Sequence, residues 1–206
     1  AFISEHTVPD SDNALAPFRN AHALLTTPTG DIDTSIGTDL WDGVAIDEKM
    51  QSAIDYVKDN EAAQIAWEKA SHMPDFSEVR PTAIDYNSLL ETTQNTREFA
   101  RMCVIRAWIA SENGNDAEAA KWLLCNLRTS RLVELHGCII NRLVGIALHN
   151  MSSETIVKWL DRQQLSQSEL EQFLNEVQAI QQMTPPISDH IKMEYLMVLH
   201  SEEILQ

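Results

Sequence analysis

A chain of 206 residues, 44% hydrophobic and 22% charged, has the composition of a globular protein. It is long enough to bury a core without disulfide or metal staples, and its composition excludes the disordered and fibrous classes. The formal charge of -16 sets 31 acidic against 15 basic residues; a surface so negative repels phosphate backbones and anionic headgroups over about 8 Å, so no nucleic-acid partner is expected.

In chain order, the first predicted helix covers residues 13 to about 25. Leu15, Phe18, Ala21 and Leu25 recur there at helical spacing behind Asp12 as a cap, and Pro17 falls near the first turn, where a missing N–H costs little. From about 26 to 45 the text turns to Thr, Pro, Gly and Asp and predicts an ordered loop anchored by Trp41. Residues 46–57 and 61–71 predict two short helices, the second carrying Ile65 and Trp67 and ended by Pro74. A second irregular stretch, 72–86, spaces Met73, Phe76, Val79, Ile84 and Tyr86 so that they can tuck against a helical face.

The second half is more regular. A helix starting at Leu89 or Thr96 and running to about 113 is apolar on almost every side (Phe99, Met102, Cys103, Val104, Ile105, Trp108, Ile109) and should be central. Gly114 stops it, and Asn115 or Asp116 caps a helix that runs through Trp122, Leu127 and Leu132 to near 135, where Gly137 breaks the pattern. Ile140, Leu143, Val144, Ala147, Leu148 and Met151 form the next stripe, and Ser152 or Ser153 is expected to restart the chain as a short helix with Ile156, Val157, Trp159 and Leu160. Ser166 and Glu169 read as a capping box ahead of Leu170, Phe173, Leu174, Val177 and Ile180, which Pro185-Pro186 terminates. A last helix covers 187 to about 205, with Ile191, Tyr195, Val198 and Leu199 expected to face inward. The expectation is a single all-α domain of about eight helices in hairpins, with long loops at about 26–45 and 72–86. An acidic, irregular lobe (about 1–88) would pack on a helical-hairpin lobe (about 89–206): residues 1 to 100 hold 18 Asp and Glu against 6 Lys and Arg.

Stacked hairpins suggest internal repeats, and Gly114-Asn115-Asp116-Ala117-Glu118-Ala119 does look like the turn and second-helix opening of a tetratricopeptide repeat. A period of about 34 residues would put further copies near residues 80 and 148, and neither neighbourhood repeats the glycine or the small residue, so the chain is repeat-like without being a regular array. The order Asn13-Ala14, Pro17-Phe18 and Ala21 to Leu25, then Ala66 to Pro74, then Arg101 to Gly114, then Ile139 to Ala147 resembles an uncharacterised helical family frequent in planctomycete-type bacteria. That family is usually found behind an N-terminal membrane segment. The resemblance implies a helical fold and an anchored, extracytoplasmic origin, and it carries no catalytic residues with it. The chain opens on Ala1 and shows neither a signal peptide nor a membrane-length apolar run, so no membrane insertion by this segment is expected.

Chemistry is sparsely marked. Cys103, Cys125 and Cys138 all lie in apolar helical text and read as small buried hydrophobes. Seven histidines (6, 22, 72, 136, 149, 190, 200) include no pair flanking a glutamate at helical metalloprotease spacing, and no Gly-x-Ser-x-Gly elbow occurs; no metal, cofactor or catalytic residue is expected. What departs from the overall charge is arginine. From 97 to 142 the count is seven basic against five acidic, and Arg97 with Arg101, and Arg128 with Arg131, lie one turn apart on helices that the Gly114 turn should pack antiparallel. These four are the candidate binding residues, for an anion or an acidic peptide. The bland alternative pairs them with the protein's own carboxylates. The expected function is a non-enzymatic interaction or scaffold module for a protein partner; the alternative is a small-anion or enzymatic pocket between the two lobes.

Overall fold

The computed structural model describes residues 1–26, 32–88, 90–162 and 165–204, the last three as backbone alone. Ten helical segments succeed one another, with no strand among the described residues: α1 (Phe2–Glu5), α2 (Leu15–Ala23), α3 (Thr34–Trp41), α4 (Glu48–Asp59), α5 (Glu61–Ala70), α6 (Glu91–Glu112), α7 (Asp116–Glu134), α8 (Ile139–Arg162), α9 (Gln167–Gln182) and α10 (Ile187–Ile204). The fold is all-α and repeat-like, because chain neighbours α6, α7 and α8 pack on one another in turn.

Helix α6 is buried on several sides because α2, α3, α4, α5, α7 and α8 all pack against it. Its N-terminus is capped from a distance: the Glu78 carboxylate accepts from the Thr92 and Thr93 backbone N–H groups at 2.5 and 2.9 Å. Gly114, at φ +71°, turns the chain into α7, and the Asn115 side chain then accepts from Glu118 N at 3.1 Å. Helix α8 lies so close to α7 that a Cβ on Gly145 would stand 2.3 Å from Glu134 Cγ and 2.6 Å from the Ser130 carbonyl. The first half joins the second through an aromatic stack: Phe18 of α2 on Trp67 of α5 (4.1 Å), and Trp67 on Phe99 of α6 (3.9 Å). Trp67 Nε1 also donates to Thr129 of α7 at 3.2 Å, so the buried hydrophobic cluster that starts at Ala14 continues as far as Ile180.

Several elements differ from the sequence reading. A short α1 precedes the first predicted helix, which is α2; it starts two residues later than expected and with Ala14 rather than Asp12 as its cap residue, because Asn13 pairs in an isolated bridge with Asp75 and holds the 72–86 stretch by its side chain, donating to the Ser77 carbonyl at 2.9 Å. The stretch expected as a loop from about 26 to 45 contains α3: Asp33 caps it through Ser35 N at 3.0 Å, and Ile36, Leu40 and Trp41 are buried. Ser152 does not restart the chain. Its hydroxyl donates to the Leu148 carbonyl at 2.9 Å and Thr155 does the same to Met151 at 2.8 Å, so both side chains bond back along one continuous α8.

Helix α10 is turned the other way from the expected face. Ile191, Tyr195 and Leu199 are exposed, and His190, Met193, Met197 and Ser201 face inward. The polar pair is accommodated there by hydrogen bonds, His190 Nε2 to the Glu134 carbonyl (2.9 Å) and Ser201 Oγ to Met197 (2.7 Å) while accepting from Tyr86 N (3.0 Å). On α8, likewise, Val144 and Leu148 point inward but Ile140 and Leu143 are exposed. The expected helix start at Leu89, the end at Leu205 and the loop residues 27–31 lie outside the described residues.

Candidate functional site

A cleft of about 320 Å³ opens between α7 and α9. One face of α7 lines it with Ala117, Ala120, Lys121, Leu124 and Arg128, and one face of α9 with Glu169, Gln172, Phe173 and Glu176, both sets at i, i+3, i+4 helical spacing. The two helices run in the same sense, since Arg128 reaches Glu176 and, one turn later, Arg131 reaches Gln181. The small side chains of Ala117 and Ala120 leave depth, and Leu124, Trp159, Leu165 and Phe173 make the walls apolar, with Trp159 tilted on Phe173 at 5.1 Å.

The charges around this cleft are largely engaged. Arg128 Nη2 donates to Glu176 Oε2 at 2.6 Å and straps α7 to α9 at one end; its Nη1 lies 3.2 Å from His72 Nε2, which is 3.0 Å from Glu68 Oε1 and serves one of these two partners at a time. Lys121 lies 3.4 Å from Glu118 and 4.8 Å from the Trp122 ring centre. Glu169 closes the capping box of α9; the Ser166 hydroxyl and backbone N–H hold its carboxyl below the usual range and therefore ionised. Among the described residues, two polar atoms of the lining residues are buried without a hydrogen-bond partner: Asp116 Oδ1, at the start of α7, and Trp159 Nε1.

The four arginines singled out in the sequence go to different places. Arg97 is exposed on α6. Arg101 donates to the Ile32 carbonyl at 3.1 Å and lines a separate, small hollow of about 30 Å³ beside α3 and α8. Arg128 is the member of the set that lines the cleft. Arg131 is buried in a polar node, donating to Glu134 (2.8 Å), His149 Nδ1 (3.1 Å) and Gln181 (3.1 Å), while Arg142 approaches Glu134 at 3.6 Å. Burial pushes the Glu134 carboxyl up against the pull of both arginines, and burial together with Arg131 pushes the His149 imidazole down.

Sequence reasoning missed Glu176, His72 and the alanines of α7 as site residues, and placed Trp159 and Phe173 only in the apolar stripes of their helices. Trp159 is indeed 1% exposed yet also walls the cleft, a dual position that spacing does not reveal. The available signal was the small-residue spacing Ala117 and Ala120 opposite a capped amphipathic helix. The three cysteines are free and buried, and contact with Cys125 together with burial pushes the Cys103 thiol well above its ordinary range. Among the described residues no group of three or more His, Cys, Asp or Glu is placed to hold a metal ion, and no helix is long and apolar enough to cross a membrane. No protein-family model, curated protein or solved structure matches the chain.

Proposed function

We propose that this protein is a non-enzymatic interaction module, and that the cleft between α7 and α9 receives an apolar side chain presented by a protein partner. The observation that carries the reading is the combination of an open hollow of about 320 Å³, an apolar lining from Leu124, Trp159 and Phe173, and a charged rim already held in place by internal pairs. Helix-lined grooves of this kind take short segments through one or two buried anchors. The alternative of an anion-binding pocket draws less support: Arg101 and Arg128 line separate hollows, and Arg128 faces Glu176.

Displayed heptapeptide libraries test the proposal. The native protein should enrich sequences with a large apolar residue, and their affinity should fall at least about tenfold in Ala120→Trp, which fills the cleft from its half-buried face, but not in Tyr86→Ala, outside it. Enrichment that survives Ala120→Trp unchanged, or no enrichment at all, would sink the reading.

A further inference from the structure

We infer that the outward face of α8 is the seam of a two-fold homodimer, in which α8 of one copy lies along α8 of a second copy running in the same sense. The inference is independent of the cleft, which lies between α7 and α9.

Helix α8 is apolar on two opposite sides. Val144, Leu148 and Trp159 face the core, while Ile139, Leu143, Ile146 and Val157 stand in solvent, Leu143 at 60% exposure. A helix with an apolar stripe on each side is one that is covered on each side. The outward stripe also has a period of its own. Ile139, Leu143, Ile146, Asn150, Ser153 and Val157 follow one another in alternating steps of four and three residues, all exposed except the half-buried Ser153. The mean of about 3.5 residues is the spacing at which one helix packs along another, and the surface that repeats it in register is the same stripe of a second copy. Asn150 sets the sense. With like ends together it meets the Asn150 of the other copy, amide against amide; with the ends reversed about Leu143 and Ile146 it would face an isoleucine, Ile139.

Area and charge agree. Helix α10 lies against the same end of α8, since Glu194 accepts from Ile139 N at 3.3 Å and Arg142 donates to the Pro185 carbonyl at 3.0 Å, and it adds the exposed Ile187 and Ile191. With Ile139, Ile140, Leu143 and Ile146 these present roughly 500 Å² of aliphatic surface, near the largest patch an ordinary monomer shows and most of the ~800 Å² that each partner gives a stable interface. Two chains of charge -16 repel wherever their carboxylates face one another. Between Glu134 and Glu154, however, the sequence has no Asp or Glu, and its one Lys or Arg, Arg142, is set against Glu134 at 3.6 Å. At the edge, Glu194 is taken up by the start of α8. The face that a second copy can approach without meeting a row of carboxylates is therefore the face that carries the unburied aliphatic side chains.

Sedimentation equilibrium on the full chain, from about 1 to about 100 μM, tests this. The native protein should reach twice the 23.2 kDa of one chain, and should associate more tightly as salt screens the like charges. Leu143→Glu puts a carboxylate in the seam and should weaken association at least about a hundredfold, whereas Val44→Glu, likewise exposed but between α3 and α4, should leave it unchanged. Asn150→Leu should tighten association at least about tenfold, because it removes the polar layer of the seam. Asn150→Cys treated with diamide should give a covalent dimer that dithiothreitol reverses. A monomer at every concentration, a mass of three or more chains, association that weakens with salt, or a dimer indifferent to both Leu143→Glu and Asn150→Leu would overturn the inference. So would a monomer that floats with phosphatidylcholine vesicles and loses them in Leu143→Glu, which would make the face a lipid surface. If Leu143→Glu dissociates the dimer but Asn150→Cys does not cross-link, the seam stands and the shared sense of the helices falls. Should Leu143→Glu lose its helical dichroism, the two Asn150 variants, which alter an exposed side chain, decide the matter.

Discussion

Gly145 lets the α8 backbone lie against Glu134 and Ser130, with no room for even a methyl group. Gly145→Ala should therefore lower stability by about 2–3 kcal/mol, read as a fall in the thermal midpoint, because α8 must shift or Glu134 must leave its bond with Arg131. His149 shares that node. It accepts from Arg131 through Nδ1, so it is neutral there, and burial lowers its pKa from the ordinary 6.5. A base whose folded pKa is depressed binds fewer protons folded than unfolded, so its contribution is complete above pH 6.5 and is lost as pH falls below that value. His190 shifts in the same direction, mainly by burial. Thermal midpoints measured from about pH 7.5 to about pH 5.5 should fall with acid, and fall less steeply in His149→Gln. At this scale the text was least legible: the spacing of Arg97, Arg101, Arg128 and Arg131 was visible, but which carboxylate, carbonyl or imidazole each would meet depends on segments up to 69 residues away.

Among the elements, α9 forms the lightly buried wall of the cleft, with only Phe173 and Ile180 buried and one end strapped by Arg128–Glu176. Its other end relies on the capping box. Ser166→Ala should cost about 1 kcal/mol and speed amide hydrogen exchange in the first turn of α9 while leaving α6 and α7 protected. Helix α8 makes the opposite case: amides across 150–154 should exchange as slowly as those on either side, since Ser152 bonds back to Leu148 and interrupts nothing. The capping box and the Gly114 turn were legible because both are local chemistry. The continuity of α8 was not, because a serine reads the same whether it caps or bonds back, and the burial of Ser152 against neighbouring helices decided which.

For the molecule as a whole, the stack of Phe18, Trp67 and Phe99 ties the acidic first part to the hairpins. Trp67→Ala should remove about 3–5 kcal/mol. If that stack couples the two parts, far- and near-ultraviolet dichroism should lose signal in one coincident transition for the native chain; separate transitions would show that α2–α5 and α6–α10 unfold independently.

Composition, a shortage of glycine and apolar recurrence every three or four residues sufficed to determine an all-α chain of packed hairpins, because helix formation and amphipathic burial follow from properties carried within a few turns of sequence. The tertiary structure alone decided that α10 buries His190 and Ser201 and exposes Ile191 and Tyr195, that Arg128 enters the cleft while Arg101 turns away from it, and that Trp159 walls the cleft as well as filling the core. Those outcomes depend on which distant backbone carbonyl or carboxylate lies within hydrogen-bonding distance, a quantity that exists only once the helices have packed.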